Sequence, residues 1–110
     1  MQNNFPESDW KTLSRLKPLA LDRLCQCIVT EAGDILDRAK ENEYHRAYLD
    51  LYRYVQGSDE KVSASFDNWK RSQAMNILIN WMSEHLLTGE EFSAFSPETR
   101  AVVEVWLKQR

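Results

Sequence analysis

Chemistry in this chain would have to start from two imidazoles and two thiols. His45 and His85 are the only histidines in 110 residues, and Cys25 and Cys27 the only cysteines. Residues two apart on a helix point about 200° from one another. The two thiols therefore cannot bridge each other there, and a zinc site would need further ligands from other segments. Cys25 reads as a buried, inert thiol, and this cysteine usage fits a reducing compartment. His85 falls beside Trp81 and Leu78 at helical spacing and is expected to be a packed, hydrogen-bonded histidine. His45 has Glu41 one turn back, a spacing that allows a local ion pair. No Glu-x-x-His pair of the di-metal kind occurs, and no Gly-rich phosphate loop, nucleophile elbow or zinc-protease motif. The sequence assigns no catalytic residue, no metal and no cofactor.

Two alternative chemistries attach to named residues. A pocket among the helices could use His45 or His85 with nearby carboxylates to bind or hydrolyse a small molecule. Arg38 and His45, with six residues between them, resemble the Arg–His pair of HEPN-type helical ribonuclease domains. The resemblance covers those two positions only. It implies His45 as the base and Arg38 as the phosphate clamp, among the acidic neighbours Glu41 and Glu43. A helix-turn-helix is the other reading. Residues 59–66, a break at Asp67-Asn68 and the following helix give the order of parts, with Asn68, Lys70, Arg71 and Gln73 able to touch phosphates or base edges. Against it stand a formal charge of −3 and a helix that is apolar beyond Ala74, so nucleic acid is disfavoured.

The aromatic residues point elsewhere. Tyr44, Tyr48 and Tyr52 form a ladder at four-residue steps. With four Trp and four Phe besides, the chain carries more large aromatic surface than a small bundle needs. Surplus aromatic surface at a bundle's edge suits a protein interface. The reading that follows is a non-enzymatic helical interaction module that binds a protein partner or itself, as a homodimer. Tyr48, Tyr52, Trp69, Val103 and Trp106 are its interface candidates. A second set, Gln73, Asn76, Asn80 and Glu84 with His85 beside them, makes a polar stripe that either faces solvent, the favoured reading, or lines a polar groove.

The elements that must position these residues are helices. Gly and Pro number three each, too few for the turns of an all-β fold. The expected architecture is all-α: a compact bundle of five or six helices in one domain spanning 1–110, with a central, mostly buried helix over about 69–87. Ser8 caps a first short helix bearing Trp10, Leu13 and Leu16. A second starts near Pro18, because proline suits a first turn. Its apolar line is Leu21, Leu24, Cys25, Ile28, Ala32, Ile35, Leu36 and Ala39, with Gly33 on the polar face. Asn42 or a neighbour breaks the chain. A third helix runs from Glu43 to Gln56, ended by Gly57, with Ser58 capping the next. After the Asp67-Asn68 break, the apolar residues from Met75 to Leu87 cover nearly the whole circumference, the mark of a helix wrapped by neighbours. Thr88-Gly89-Glu90-Glu91 matches a capping box. Ser96-Pro97-Glu98 opens a last helix, whose negative pole suits Lys108 and Arg110. The run Met75–Met82 is too short to cross a membrane, and Met1–Lys17 lacks the apolar run of a signal peptide. A cytoplasmic protein is expected.

Overall fold

Helices run further along this chain than its punctuation predicts. The computed structural model describes Phe5 to Gln109; Arg110, expected at the last helix's negative pole, and Met1 to Asn4 lie outside the described residues. Five α-helices follow one another: α1 (Glu7–Asp37), α2 (Tyr44–Phe66), α3 (Ala74–Ser83), α4 (Gly89–Phe92) and α5 (Pro97–Lys108), with a 3-10 turn at Arg71–Gln73 before α3. Among the described residues there is no strand, and no helix is long and apolar enough to cross a membrane.

Two expected breaks are absent. Pro18 does not start a helix; it lies inside α1. Ser8 is likewise inside α1 rather than at its cap. Proline in a helix interior removes one backbone bond, to the carbonyl four residues back. That carbonyl belongs to Ser14, and both Ser14 and Pro18 are exposed, so water can satisfy it. Leu13, Leu16, Ala20 and Leu24 are buried on the other face, and their burial holds the two halves in line. Gly57 does not end a helix either. No glycine takes a positive φ, and α2 continues through Gly57 to bury Ser58, Ser65 and Phe66. Tertiary burial outweighs the glycine's propensity cost of about 1 kcal/mol. The breaks at Asn42 and Asn68 are where expected, both at positive φ (72° and 54°), which asparagine tolerates better than most residues.

The central segment is buried as expected but is not one helix. Lys70 is extended (φ −137°, ψ 142°), and α3 proper begins only at Ala74. It buries Ala74, Ile77, Leu78, Ile79 and Trp81. It ends where His85 takes φ 59°. The Leu86 N–H donates to the Trp81 carbonyl (2.9 Å) and the His85 N–H to the Met82 carbonyl (3.1 Å), the paired bonds of a left-handed helix stop. The chain then turns Leu86 and Leu87 back into the core.

Three of the four tryptophans are spent inside the subunit. Trp10 packs on Trp69 (5.0 Å between ring centroids), Trp69 on Trp81 (6.0 Å) and Trp81 on Phe66 (5.4 Å). Lys17 caps this stack with its ammonium 4.1 Å from the Trp69 ring. The Trp81 indole N–H donates to the Ser65 carbonyl (3.1 Å), satisfying the one polar atom of a fully buried ring.

Of the caps expected from the sequence, those at Thr88 and Ser96 are formed, and both are tied to α1. Thr88 and Glu91 make the reciprocal capping box at α4, and Arg23 of α1 grips Glu91 with two parallel bonds (2.6 and 3.0 Å). Ser96 caps α5. Its N–H and hydroxyl donate to the buried Asp9 carboxylate (2.9 and 2.7 Å), to which the Thr99 hydroxyl also donates (2.6 Å).

These ties define a body and an arm. The hydrogen bonds and ring contacts that tie α1 to the segment after α2 come from Asp9, Trp10, Lys17 and Arg23, none of them beyond its seventeenth residue. Beyond them the rest of α1 and the first half of α2 run on together, giving a molecule of 56 × 28 × 27 Å. Fourteen residues of α2, Tyr44 to Gly57, make an arm about 20 Å long at 1.5 Å per residue.

Candidate protein-docking face

The arm is a pair of helices packed on each other. No residue from Cys25 to Gly57 is buried, whereas the body holds the entire core from Phe5 to Leu24 and Phe66 to Val103. Beside the half-buried Cys25, Gly33 and Leu49, two half-buried lines run along the arm: Ile28, Ala32 and Ile35 on α1, continued by Ala39 in the loop, and Ala47, Leu51 and Tyr54 on α2. These steps of three and four face the two helices toward each other. Two clefts lie along the arm. One is lined by Ile35, Ala39 and Ala47 among others, and the other by Cys27 and Tyr54.

A second set of apolar residues is left out of that seam. Val29 and Leu36 of α1 and Tyr44, Tyr48, Tyr52 and Val55 of α2 expose between 47% and 70% of their surface. At about 100° per residue, Val29 and Leu36 stand roughly a quarter-turn ahead of the inward line of α1, and the tyrosines a similar step ahead of that of α2. The six-residue loop 38–43 makes the helices antiparallel, so their numbering turns in opposite senses when viewed down the arm. The two sets consequently lie on the same side. The Tyr52 hydroxyl, which accepts from Gln56 Nε2 (3.0 Å), keeps one polar tip at the rim of this face.

The interface candidates from the sequence divide accordingly. Tyr48 and Tyr52 lie on the arm face, and Trp106 is half-exposed on α5 beside the exposed Val102 and Val105. Val103 is fully buried, and Trp69 is held in the tryptophan stack. Those two serve the core and offer no surface in the single subunit. Val29, Leu36 and Val55 were not singled out, although their seven-residue spacing on α1 and the step from Tyr52 on α2 carry the signal.

The polar stripe is a rim, divided between two shallow clefts. Asn80 shares one of about 130 Å³ with Lys61, Ser65, Ser83 and Glu84, and another of about 240 Å³ with Asn76, Ile79 and Trp106. Both fall short of the roughly 300–1,000 Å³ of ligand pockets. Gln73 accepts from Asn76 (3.4 Å), and Glu84 pairs with Lys61 (3.8 Å) near the surface, a contact of little energetic weight. His85 is exposed rather than packed, because its left-handed backbone turns it out at the end of α3.

The histidines are not brought together. His45 opens α2, whereas His85 follows Glu84, the partner of Lys61. Lys61 lies sixteen residues along α2, about 24 Å from His45 at helical rise. The tip cleft, about 320 Å³, takes in Arg38, Arg46 and Asp50 but not His45. Among the described residues no three His, Cys, Asp or Glu side chains are grouped to hold a metal ion. Lys70 is exposed, and the Arg71 side chain donates to the Phe5 carbonyl (2.9 Å). The helix after them buries Ile77, Leu78, Ile79 and Trp81, faces that a recognition helix would have to present.

The strongly shifted acid Glu91 is structural. The bidentate bonds from Arg23, and then the N–H of Thr88, hold the Glu91 carboxyl down to about 2. The same pairing raises the Arg23 guanidinium above its ordinary value. Arg23 also donates to the Leu86 carbonyl (2.8 Å), so this pair locks α1 to the turn between α3 and α4.

No protein-family model, no curated protein and no solved structure matches this chain.

Proposed function

We propose that this chain is a non-enzymatic helical interaction module that works through protein contacts and self-associates through its arm. One observation carries the reading: from Cys25 to Gly57 nothing is buried, yet six large apolar side chains line one side. A soluble monomer seldom leaves such a contiguous apolar strip uncovered, and strips of this kind mark interaction sites. Tyrosine is the residue type enriched there, since it adds contact area at small entropic cost. The two free cysteines, one of them exposed, suit a reducing, cytoplasmic setting.

Light scattering on the eluting protein tests this. The wild-type chain is expected at twice the 12.9 kDa subunit mass. The double variant Tyr48→Ser, Tyr52→Ser is expected at the subunit mass with its helical circular dichroism unchanged. A wild-type chain that elutes as single subunits at every concentration contradicts the proposal, and so does a double variant that stays paired.

A further inference from the structure

The two helices of the arm leave the body at definite points. On α1 the last anchors are Arg23, bonded to the Glu91 carboxylate and to the Leu86 carbonyl (2.8 Å), and the buried Leu24. On α2 the first anchor is the buried Ser58. Lys61, paired with Glu84, and the Ser65 carbonyl, which accepts the Trp81 indole N–H, follow it. Between these anchors, from Cys25 to Gly57, no residue is buried.

Little holds the arm together. Its side-chain hydrogen bond, Gln56 to Tyr52, stays within α2. Among the described residues no hydrogen bond or ion pair joins the arm's two helices. The seam rests on Ile28, Ala32, Ile35, Ala47, Leu51 and Tyr54, all of them half-buried. Burial stabilises in proportion to the apolar area taken from water. This seam therefore contributes far less than the body's core, where Leu13, Leu78, Trp81 and Val103 are fully enclosed. Helices shorter than about 12–15 residues are marginal in water by themselves, and the arm's stretches, 25–37 of α1 and 44–57 of α2, fall in that range. Each stretch also holds a glycine, the weakest helix former after proline. Gly57 directly precedes Ser58, so α2 is weakest where it leaves the body.

We infer that residues 25–57 form a separate cooperative unit, which unfolds and refolds while the body keeps its core. The arm is an order–disorder switch built into the fold. Opening stops at Arg23, because going further would break its paired bonds to Glu91. It stops at Ser58 because going further would uncover Ser65 and Phe66, which packs on Trp81. Whatever covers the arm stabilises this unit by mass action and leaves the body as it was. The inference concerns the single subunit and stands whether or not two copies pair.

The chain carries its own probes. All four tyrosines lie in the arm and all four tryptophans in the body. On heating submicromolar protein, far-ultraviolet circular dichroism should fall in two steps. The first should remove roughly a third of the helix, the arm's share, with tryptophan emission still native. Emission should change only in the second, hotter step. Gly57→Ala should raise the first midpoint by several degrees and leave the second in place. Circular dichroism and tryptophan emission that follow one shared curve overturn the inference. So does a Gly57→Ala chain whose two midpoints rise together, or whose first midpoint does not rise.

Discussion

Arg23 and Glu91 meet fork to fork, at 2.6 and 3.0 Å, across 68 positions of sequence. A local capping box thereby becomes a tertiary bolt, since the carboxylate that caps α4 also holds α1. Glu91 titrates at about 2 instead of 4.5. A carboxyl whose folded value is depressed adds stability that is complete above its unfolded value and disappears as pH falls through its folded value. Acid unfolding should therefore show a loss between about pH 4.5 and 2 that Glu91→Gln abolishes. At neutral pH that variant should lose about 1–2 kcal/mol, a value moderated by partial exposure of the pair. Urea titrations across pH measure both.

Asp9 should matter more than any exposed acid. Its two oxygens accept from Ser96 N–H, Ser96 Oγ and Thr99 Oγ1, and both Asp9 and Thr99 are buried. Asp9→Ala strands those donors away from water and should cost about 2–4 kcal/mol. Ser96→Ala, which removes the α5 cap, should cost about 1–2 kcal/mol. Thermal melts of the two variants should separate by several degrees.

His85 holds a left-handed backbone at the end of α3, where only glycine is free of strain. His85→Gly is expected to stabilise the fold by about 1 kcal/mol. The same melts read it. A destabilised variant would mean that the imidazole has a partner in the fold.

Gly57 occupies an ordinary helical position in α2 with open space around it. Gly57→Ala should stabilise by about 0.5–1 kcal/mol in thermal melts without altering the state of association.

How far the fold was legible depended on whether the signal was local. The capping box at Thr88, the Ser96-Pro97 start and the asparagine breaks were readable because a few adjacent residues decide them. Pro18 and Gly57 misled because distant residues outvote them: Leu13, Leu16, Ala20 and Leu24 keep α1 straight, and Ser58, Ser65 and Phe66 carry α2 onward. The end of α3 at His85 lies hidden, since a histidine stands where glycine is usual. For the site, Tyr48 and Tyr52 were visible as a ladder. That Val103 is buried and Trp69 stacked depends on contacts with α1 and α3, which periodicity alone does not specify. The arm itself was invisible, because α1 and α2 each carry an apolar line and nothing in that line says how many neighbours cover it.

Amide exchange should expose the difference between arm and body. With no buried residue between Cys25 and Gly57, arm amides should exchange faster than those of α3 when the protein is dilute, and slow markedly as it is concentrated. Body amides should hardly change.

Native mass spectrometry over a concentration series reaches the heart of the matter. Twice 12.9 kDa should dominate in the micromolar range and give way to the subunit mass on dilution or in Tyr48→Ser, Tyr52→Ser. A lone 12.9 kDa species throughout would mean that the tyrosine face of the arm is not where two copies meet.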